Sequence, residues 1–203
     1  MLLWINGAFG SGKTQTAHEL LRRLPDAHVA DPEVLGFAMH KMLPADARGD
    51  FQDLPQWRSG VVEMLQRSDA AAAGPVIVPM TVVRDDYFEE IVGGLRERGV
   101  EVCHYTLSAT AETLKTRLNS RISSLGGKIF GGDETWAMEQ IPRCVDALAG
   151  ERYATHVPTD DLTTDEVVEW IADHAGLSLS EPRMRPARYQ LRRIAVGIRH
   201  IRL

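Results

Sequence analysis

Residues Gly7-Ala8-Phe9-Gly10-Ser11-Gly12-Lys13-Thr14 satisfy the P-loop pattern G-x-x-x-x-G-K-[ST] at each fixed position. No other stretch constrains the fold as much, because this motif works only between a strand and a helix. An apolar run, residues 1–5, precedes it, and Ala17, Leu20, Leu21 and Leu24 follow at helical spacing. Glycines let the backbone curl so that successive N–H groups point inward as an anion nest. The N-terminal end of the following helix adds its own partial positive charge. The expected phosphate cradle is Gly7, Ala8, Phe9, Gly10, Ser11, Gly12, Lys13, Thr14 and Gln15. In it Lys13 reaches the β- and γ-phosphates of ATP, and the Thr14 hydroxyl ligates Mg²⁺. A chance glycine-rich turn would not come with both the strand and the helix, so nucleoside triphosphate binding is expected.

Apolar, β-branched runs then alternate with helical patterns, as in a parallel α/β sheet. Strands are expected at 2–6, 28–30, 75–83, 101–107 and 153–158. Helices are expected at 12–23, 32–42, 54–73, 85–98, 109–123, 135–149 and 163–174. This predicts a doubly wound, five-stranded parallel sheet of the P-loop kinase type, with its ligand at the carboxyl ends of the strands. The 203 residues are enough for one domain with a real core, placed at 1–178. Cys103 and Cys144 have no metal-ligand spacing and suggest no disulfide framework. The P-loop starts at residue 7, leaving no room for a signal peptide, and no apolar stretch approaches the ~20 residues that span a bilayer. A cytoplasmic location is expected.

Residues 123–133 contain four glycines between two good helical patterns. Upstream, Arg117 and Arg121 stand four apart on one helix face, and Arg143 lies on the helix beyond. Arginines flanking a glycine-rich flap suit a lid, near 117–143, closing over a transferring phosphoryl group. The plainer alternative makes them solvated surface charges. The apolar run 76–83 carries no acid, and Pro79 interrupts a regular ladder there. Asp85 and Asp86 follow too late to organise magnesium, which disfavours a water-activating switch. Asp31, in Asp31-Pro32-Glu33 directly after the second strand, is the acidic candidate for a general base or a water-mediated magnesium partner. Capping the helix that opens at Pro32 is an equally good and compatible role. Phe37 reads most simply as packing between helices. Phe51, Gln52, Trp57 and Arg58 interleave aromatic and polar groups, which suits a nucleoside or sugar pocket.

The last segment has a separate character. Residues 183–203 hold seven arginines and no acid, leaving 16 basic against 28 acidic side chains on the body. Ala187, Leu191, Ile194, Ile198 and Ile201 form one stripe at helical steps, with arginines around it. A basic amphipathic helix of this kind is expected to lie on an anionic membrane surface, on the inner face of the cell membrane. Docking of the stripe against the acidic body is the competing arrangement. Nucleic acid is not expected, because the body's negative charge would repel a phosphate backbone.

Several phrases together resemble one family. They are the run from Ile5 through the P-loop to Gln15-Thr16, then Asp31-Pro32-Glu33, Asp50-Phe51-Gln52, Trp57-Arg58 and Ile77-Val78-Pro79-Met80-Thr81, with Arg199-His200-Ile201-Arg202 at the end. In these the chain is similar to the bacterial tunicamycin resistance proteins along nearly its whole length. The resemblance implies a nucleoside-monophosphate-kinase-like fold, ATP binding, tolerance of the nucleoside antibiotic tunicamycin, and membrane association through the C-terminal segment. It also brings Met80 and Thr81 beside Phe37, Phe51, Gln52, Trp57 and Arg58 as acceptor-side candidates. Two functions stay open at this point. One is ATP-dependent phosphorylation of the drug or a related small molecule, with Asp31 as base and Lys13, Arg117 and Arg121 neutralising charge. The other is a nucleotide-gated, membrane-associated protein that sequesters the drug unchanged.

Overall fold

Alternation along the first strand, β1 (Leu2–Gly7), decides the layering. Leu2 and Trp4 point into one apolar cluster while Leu3 and Ile5 point into another, and all four are fully buried. A strand buried on both faces needs helices on both sides, which is the condition for a parallel sheet. The computed structural model describes residues 1–124, 133–185, 188, 189 and 192, with backbone alone at 121–124 and 133–135.

The sheet runs β2 (His28–Val29), β3 (Val76–Pro79), β1, β4 (Val102–Ser108), β5 (His156–Pro158), and every neighbouring pair is parallel. Leu2 stands opposite Val76 and Val102, and Ile5 opposite Pro79 and Tyr105. The face carrying Leu2 and Trp4 is covered by α3 (Pro55–Ala71), α6 (Ala111–Ser124), α7 (Asp133–Leu148) and a composite helix. That composite is α4 (Asp85–Phe88), a π-helical stretch (Glu89–Gly93) and α5 (Gly94–Glu97) in succession. The opposite face is covered by α1 (Lys13–Arg23) and α8 (Thr164–His174). The last helix, α2 (Pro32–Met42), follows β2 and precedes short 3₁₀ turns at Ala45–Ala47 and Phe51–Asp53. The five strands and the main helices are those expected from the sequence.

The differences have local causes. The third strand stops at Pro79, well short of residue 83, because proline supplies no N–H to extend the ladder. Met80 makes one more strand-like bond, its N–H to the Ile5 carbonyl at 3.1 Å. Thereafter a side chain takes over: the Asn6 amide donates to the Val82 carbonyl at 2.9 Å and accepts from the Val82 N–H at 3.1 Å. The fifth strand begins at His156, with Tyr153 in a preceding 3₁₀ turn, Glu151–Tyr153. The expected helix 85–98 is present with a π insertion that neither periodicity nor composition signals.

The described part of the C-terminal segment lies on α1 and α8. Buried Arg23 donates to Asp165, Glu169 and the Glu181 carbonyl, and Arg183 also pairs with Glu169. Glu169 therefore has its carboxyl pulled down to about 2, first by Arg183 and then by Arg23. Tyr189 donates to the Thr164 hydroxyl at 2.7 Å, and Arg192 to the His18 carbonyl at 3.1 Å. The apolar stripe from Ala187 to Ile201 lies outside the described residues. No described helix is long and apolar enough to cross a membrane.

Candidate nucleotide and acceptor site

The site forms where β2, β3 and β1, neighbours in the sheet, release the chain at their carboxyl ends. Asp31 follows β2, Met80 and Thr81 follow β3, and Gly7 closes β1, so sheet order puts these positions side by side. The loop after β1 has the nest geometry expected of it. Gly7, Gly10 and Gly12 have φ of +147°, +85° and +99°, which side chains rarely tolerate. A Cβ at Gly7 would fall 2.5 Å from the Ser11 Oγ, whereas at Gly12 it would meet nothing within 4 Å. The loop is packed at its start and open at its end, where α1 begins, as a phosphate requires. Lys13 folds back over the loop, donating to the Gly7 carbonyl at 2.9 Å and the Ala8 carbonyl at 3.2 Å.

The start of the loop is fastened by Asn6, a fully buried residue that the sequence analysis did not single out. Its Oδ1 accepts from the Gly7 N–H at 2.8 Å as well as from Val82. Its amide nitrogen stands 3.4 Å from His104 Nε2, while His104 Nδ1 stands 3.2 Å from the Ala154 carbonyl. With Nδ1–H donating to Ala154 and Nε2 accepting from Asn6, the neutral ring satisfies both partners. Burial first, and then the positive Arg96, push the His104 imidazole down to about 4. A lone Asn ending an apolar strand just before the first glycine was the available signal.

On the acceptor side Asp31 is the N-cap of α2: its carboxylate accepts from the Glu33 N–H at 3.0 Å, with Pro32 in the first turn. The Trp57 indole N–H donates to the Pro32 carbonyl at 3.1 Å, which anchors this step to α3. Gln52 donates to the Thr81 carbonyl at 3.1 Å, and the Thr81 hydroxyl donates to the Gly7 carbonyl at 2.8 Å. Arg58 pairs with Glu90, donates to the Gln52 carbonyl at 2.6 Å, and stacks 4.2 Å from the Tyr87 ring centroid. Arg84 covers Tyr87 at 4.1 Å, and the Tyr87 hydroxyl donates to Asp53 at 2.7 Å, which raises its own pKa. Gln52, Thr81 and the P-loop are thus one connected polar network.

A family model described as an AAA domain matches residues 2–140. The tunicamycin resistance protein of Deinococcus radiodurans has a similar solved structure, at 34% identity and TM-score 0.73, covering 89% of this chain and 99% of that one. The chain belongs to the tunicamycin resistance protein family. A sugar kinase from Janibacter sp. (17% identity, TM-score 0.59, 87% of this chain and 94% of that) shares the fold. So does a shikimate kinase from Bacteroides thetaiotaomicron (16%, 0.58, 87% and 99%). None of the curated proteins matches the sequence.

Within this family member the acceptor-side candidates separate into surface and core. Trp57 is fully buried, so it shapes the site from below and offers no face to a ligand, contrary to its expected place in a pocket wall. Phe37, read both as packing between helices and as an acceptor-side candidate, is 37% exposed and stands edge-on to Phe51 with centroids 6.1 Å apart. Pro32 and Gly36 of α2 are buried and Leu35 and Met39 pack against the core from the same face, while Phe37 lies on the outward face. Phe51 is seated by Gly36, where a Cβ would come within 2.5 Å of its ring. Met80 and Thr81 are buried beneath the strand ends.

The lid candidates divide differently. Arg117 donates to the Thr159 hydroxyl at 3.1 Å and to the Thr159 carbonyl, holding the turn after β5. Arg143 is exposed and bonds Gln140 on its own helix at 3.2 Å. The Arg121 side chain and residues 125–132 lie outside the described residues. Trp136 of α7, not anticipated, stands edge-on to Phe9 with centroids 5.2 Å apart and is half exposed beside the P-loop. Its signal was an aromatic just past the glycine-rich stretch. Asp85 accepts from the Tyr153 hydroxyl and Asp86 pairs with Arg84.

Proposed function

We propose that this family member binds ATP with Mg²⁺ and transfers the terminal phosphoryl group to a hydroxyl of a nucleoside-type small molecule, tunicamycin or a relative. The observation that carries this reading is the adjacency of Gly7, Thr81 and Asp31 along one sheet edge, with polar Gln52 and Arg58 flanking it. Phosphoryl transfer demands positioning and charge neutralisation more than covalent chemistry, and the chain has groups for both. Lys13 leaves its carbonyl partners for the phosphates. Thr14, in the first turn of α1, offers its hydroxyl to magnesium. Among the described residues no cluster of three or more His, Cys, Asp or Glu side chains stands ready for a metal. Magnesium in such sites is held mainly by phosphates and water with one or two protein oxygens, of which the Thr14 hydroxyl would be one. Asp31 is half-buried at the strand end; as a base it would accept the acceptor's hydroxyl proton while keeping its bond to the Glu33 N–H.

A specific observation supports the second reading, nucleotide-gated sequestration. The end of β3 carries Pro79, Met80 and Thr81 in place of an acid, and Asp31 already has a capping role. Association with an anionic membrane through 183–203 belongs to this second reading. Arg188, Arg192, Arg199 and Arg202 would face the headgroups, and Arg192 would first have to leave the His18 carbonyl, as Arg183 would have to leave Glu169. Mass spectrometry of tunicamycin after incubation with protein, ATP and Mg²⁺ separates the two. A gain of one phosphate, lost in Lys13→Ala, supports transfer. Unaltered drug retained tightly by the protein supports sequestration.

A further inference from the structure

We propose that Thr81 serves the nucleotide side of the site: its hydroxyl keeps the Gly7 carbonyl hydrogen-bonded so that Lys13 can leave that carbonyl for phosphate. This rests on the reading that the P-loop binds ATP, and it assigns a positioning role to a residue otherwise expected to face the acceptor.

The Gly7 carbonyl accepts two hydrogen bonds, from Thr81 Oγ1 at 2.8 Å and from Lys13 Nζ at 2.9 Å. A carbonyl has two lone pairs, so both donors fit at once. Gly7 is buried at the centre of the sheet edge. Leaving its oxygen without a donor would carry the desolvation cost of an unpaired buried acceptor. Lys13 must leave this oxygen to reach the phosphates, and with Thr81 in place it leaves nothing unpaired. Without Thr81, release of Lys13 strips the carbonyl of both donors, and ATP binding must overcome that cost.

The position of the hydroxyl is imposed from both sides. Met80 is bonded to Ile5, and Val82 is held twice by Asn6. Thr81 itself is 5% exposed, and its own carbonyl is taken by Gln52. Its β-branched side chain has few rotamers, which favours one fixed direction for the hydroxyl. Valine preserves the shape and removes only the donor, while serine keeps the donor.

The test uses the full chain. Melting temperature without nucleotide and ATP–Mg²⁺ affinity by calorimetry are measured for wild type, Thr81→Val, Thr81→Ser, Lys13→Ala and the double variant T81V/K13A. Thr81→Val is expected to melt close to wild type without nucleotide, because Lys13 still occupies the carbonyl, yet to bind ATP about tenfold more weakly. Thr81→Ser retains wild-type affinity. The double variant, with neither donor, loses more thermal stability than the two single losses combined. Should Thr81→Val not fold, Thr81→Ala provides the same deletion. Equal ATP affinity in wild type and Thr81→Val, failure of serine to rescue, or strictly additive melting losses would each overturn the proposal. If the wild type itself bound no ATP, the nucleotide reading would fall and this proposal with it; wild-type binding matched by Thr81→Val overturns the proposal alone.

Discussion

Lowering the pH should weaken this protein through one buried imidazole. His104 on β4 is 6% exposed, edge-on to Phe88 with centroids 4.8 Å apart, and its two nitrogens are committed to Ala154 and Asn6. Asn6 cannot turn its amide to accept from a second imidazole proton, because its Oδ1 already accepts from Gly7 and Val82. Protonation would therefore bring donor against donor in a dry site. The folded imidazole titrates at about 4, against 6.5 when unfolded. Between those values the unfolded chain binds the extra proton and the folded chain does not, so stability rises with pH across this window. At about 1.4 kcal/mol per pH unit, the loss reaches roughly 3 kcal/mol as the pH falls from 6.5 to 4. Denaturant unfolding at several pH values would measure it, with His104→Gln as the reference, since glutamine donates and accepts without titrating. The wild type should lose stability faster than the variant across the window. Parallel pH profiles, or a wild type that gains stability on acidification, would refute the assignment. Because Asn6 also holds the first P-loop glycine, nucleotide affinity of the folded protein should fall only as the ring itself protonates, near pH 4.

Gly36→Ala should force Phe51 off its seat, since the added methyl would sit 2.5 Å from the ring; overpacking of this kind costs about 1–3 kcal/mol, and drug binding should suffer more than ATP binding in paired titrations. Asp31→Asn keeps a good helix cap, so its melting temperature should match wild type; turnover or drug protection should drop if the carboxylate is the base, and wild-type protection would leave capping as its whole role. Glu169→Gln removes a shared partner of Arg23 and Arg183 and should cost roughly 1 kcal/mol, with faster proteolysis after Pro182. The wild-type contribution of that carboxylate, held near 2, is fully present above pH 4.5 and should disappear as pH falls towards 2. Co-sedimentation with anionic vesicles at low salt, comparing the full chain with a truncation after Pro182, tests the membrane role of the tail. Both proteins remaining in the supernatant would exclude it.

Much of this molecule was legible because its strongest signals are local. The P-loop works through glycine backbone angles and the helix that follows it, and both are written in consecutive residues. The start of α2 at Asp31-Pro32 and the capping box of α8 at Thr163 and Glu166 are equally local, and their boundaries follow from a few residues each. Strand content was readable from apolar runs, since a strand buried on both faces has nowhere to place a charge. What tertiary structure decided was which side of each residue met water. Trp57 and Phe37 carry the same aromatic signal, yet one is fully buried and the other exposed, because Trp57 faces the core from α3 whereas Phe37 lies on the side of α2 opposite its packed residues Leu35, Gly36 and Met39. The network joining Gln52, Thr81, Gly7 and Lys13 spans three separate stretches of chain. No spacing encodes it, since such contacts exist only once the sheet sets β3 and β1 side by side and the Phe51–Asp53 turn brings Gln52 to the end of β3.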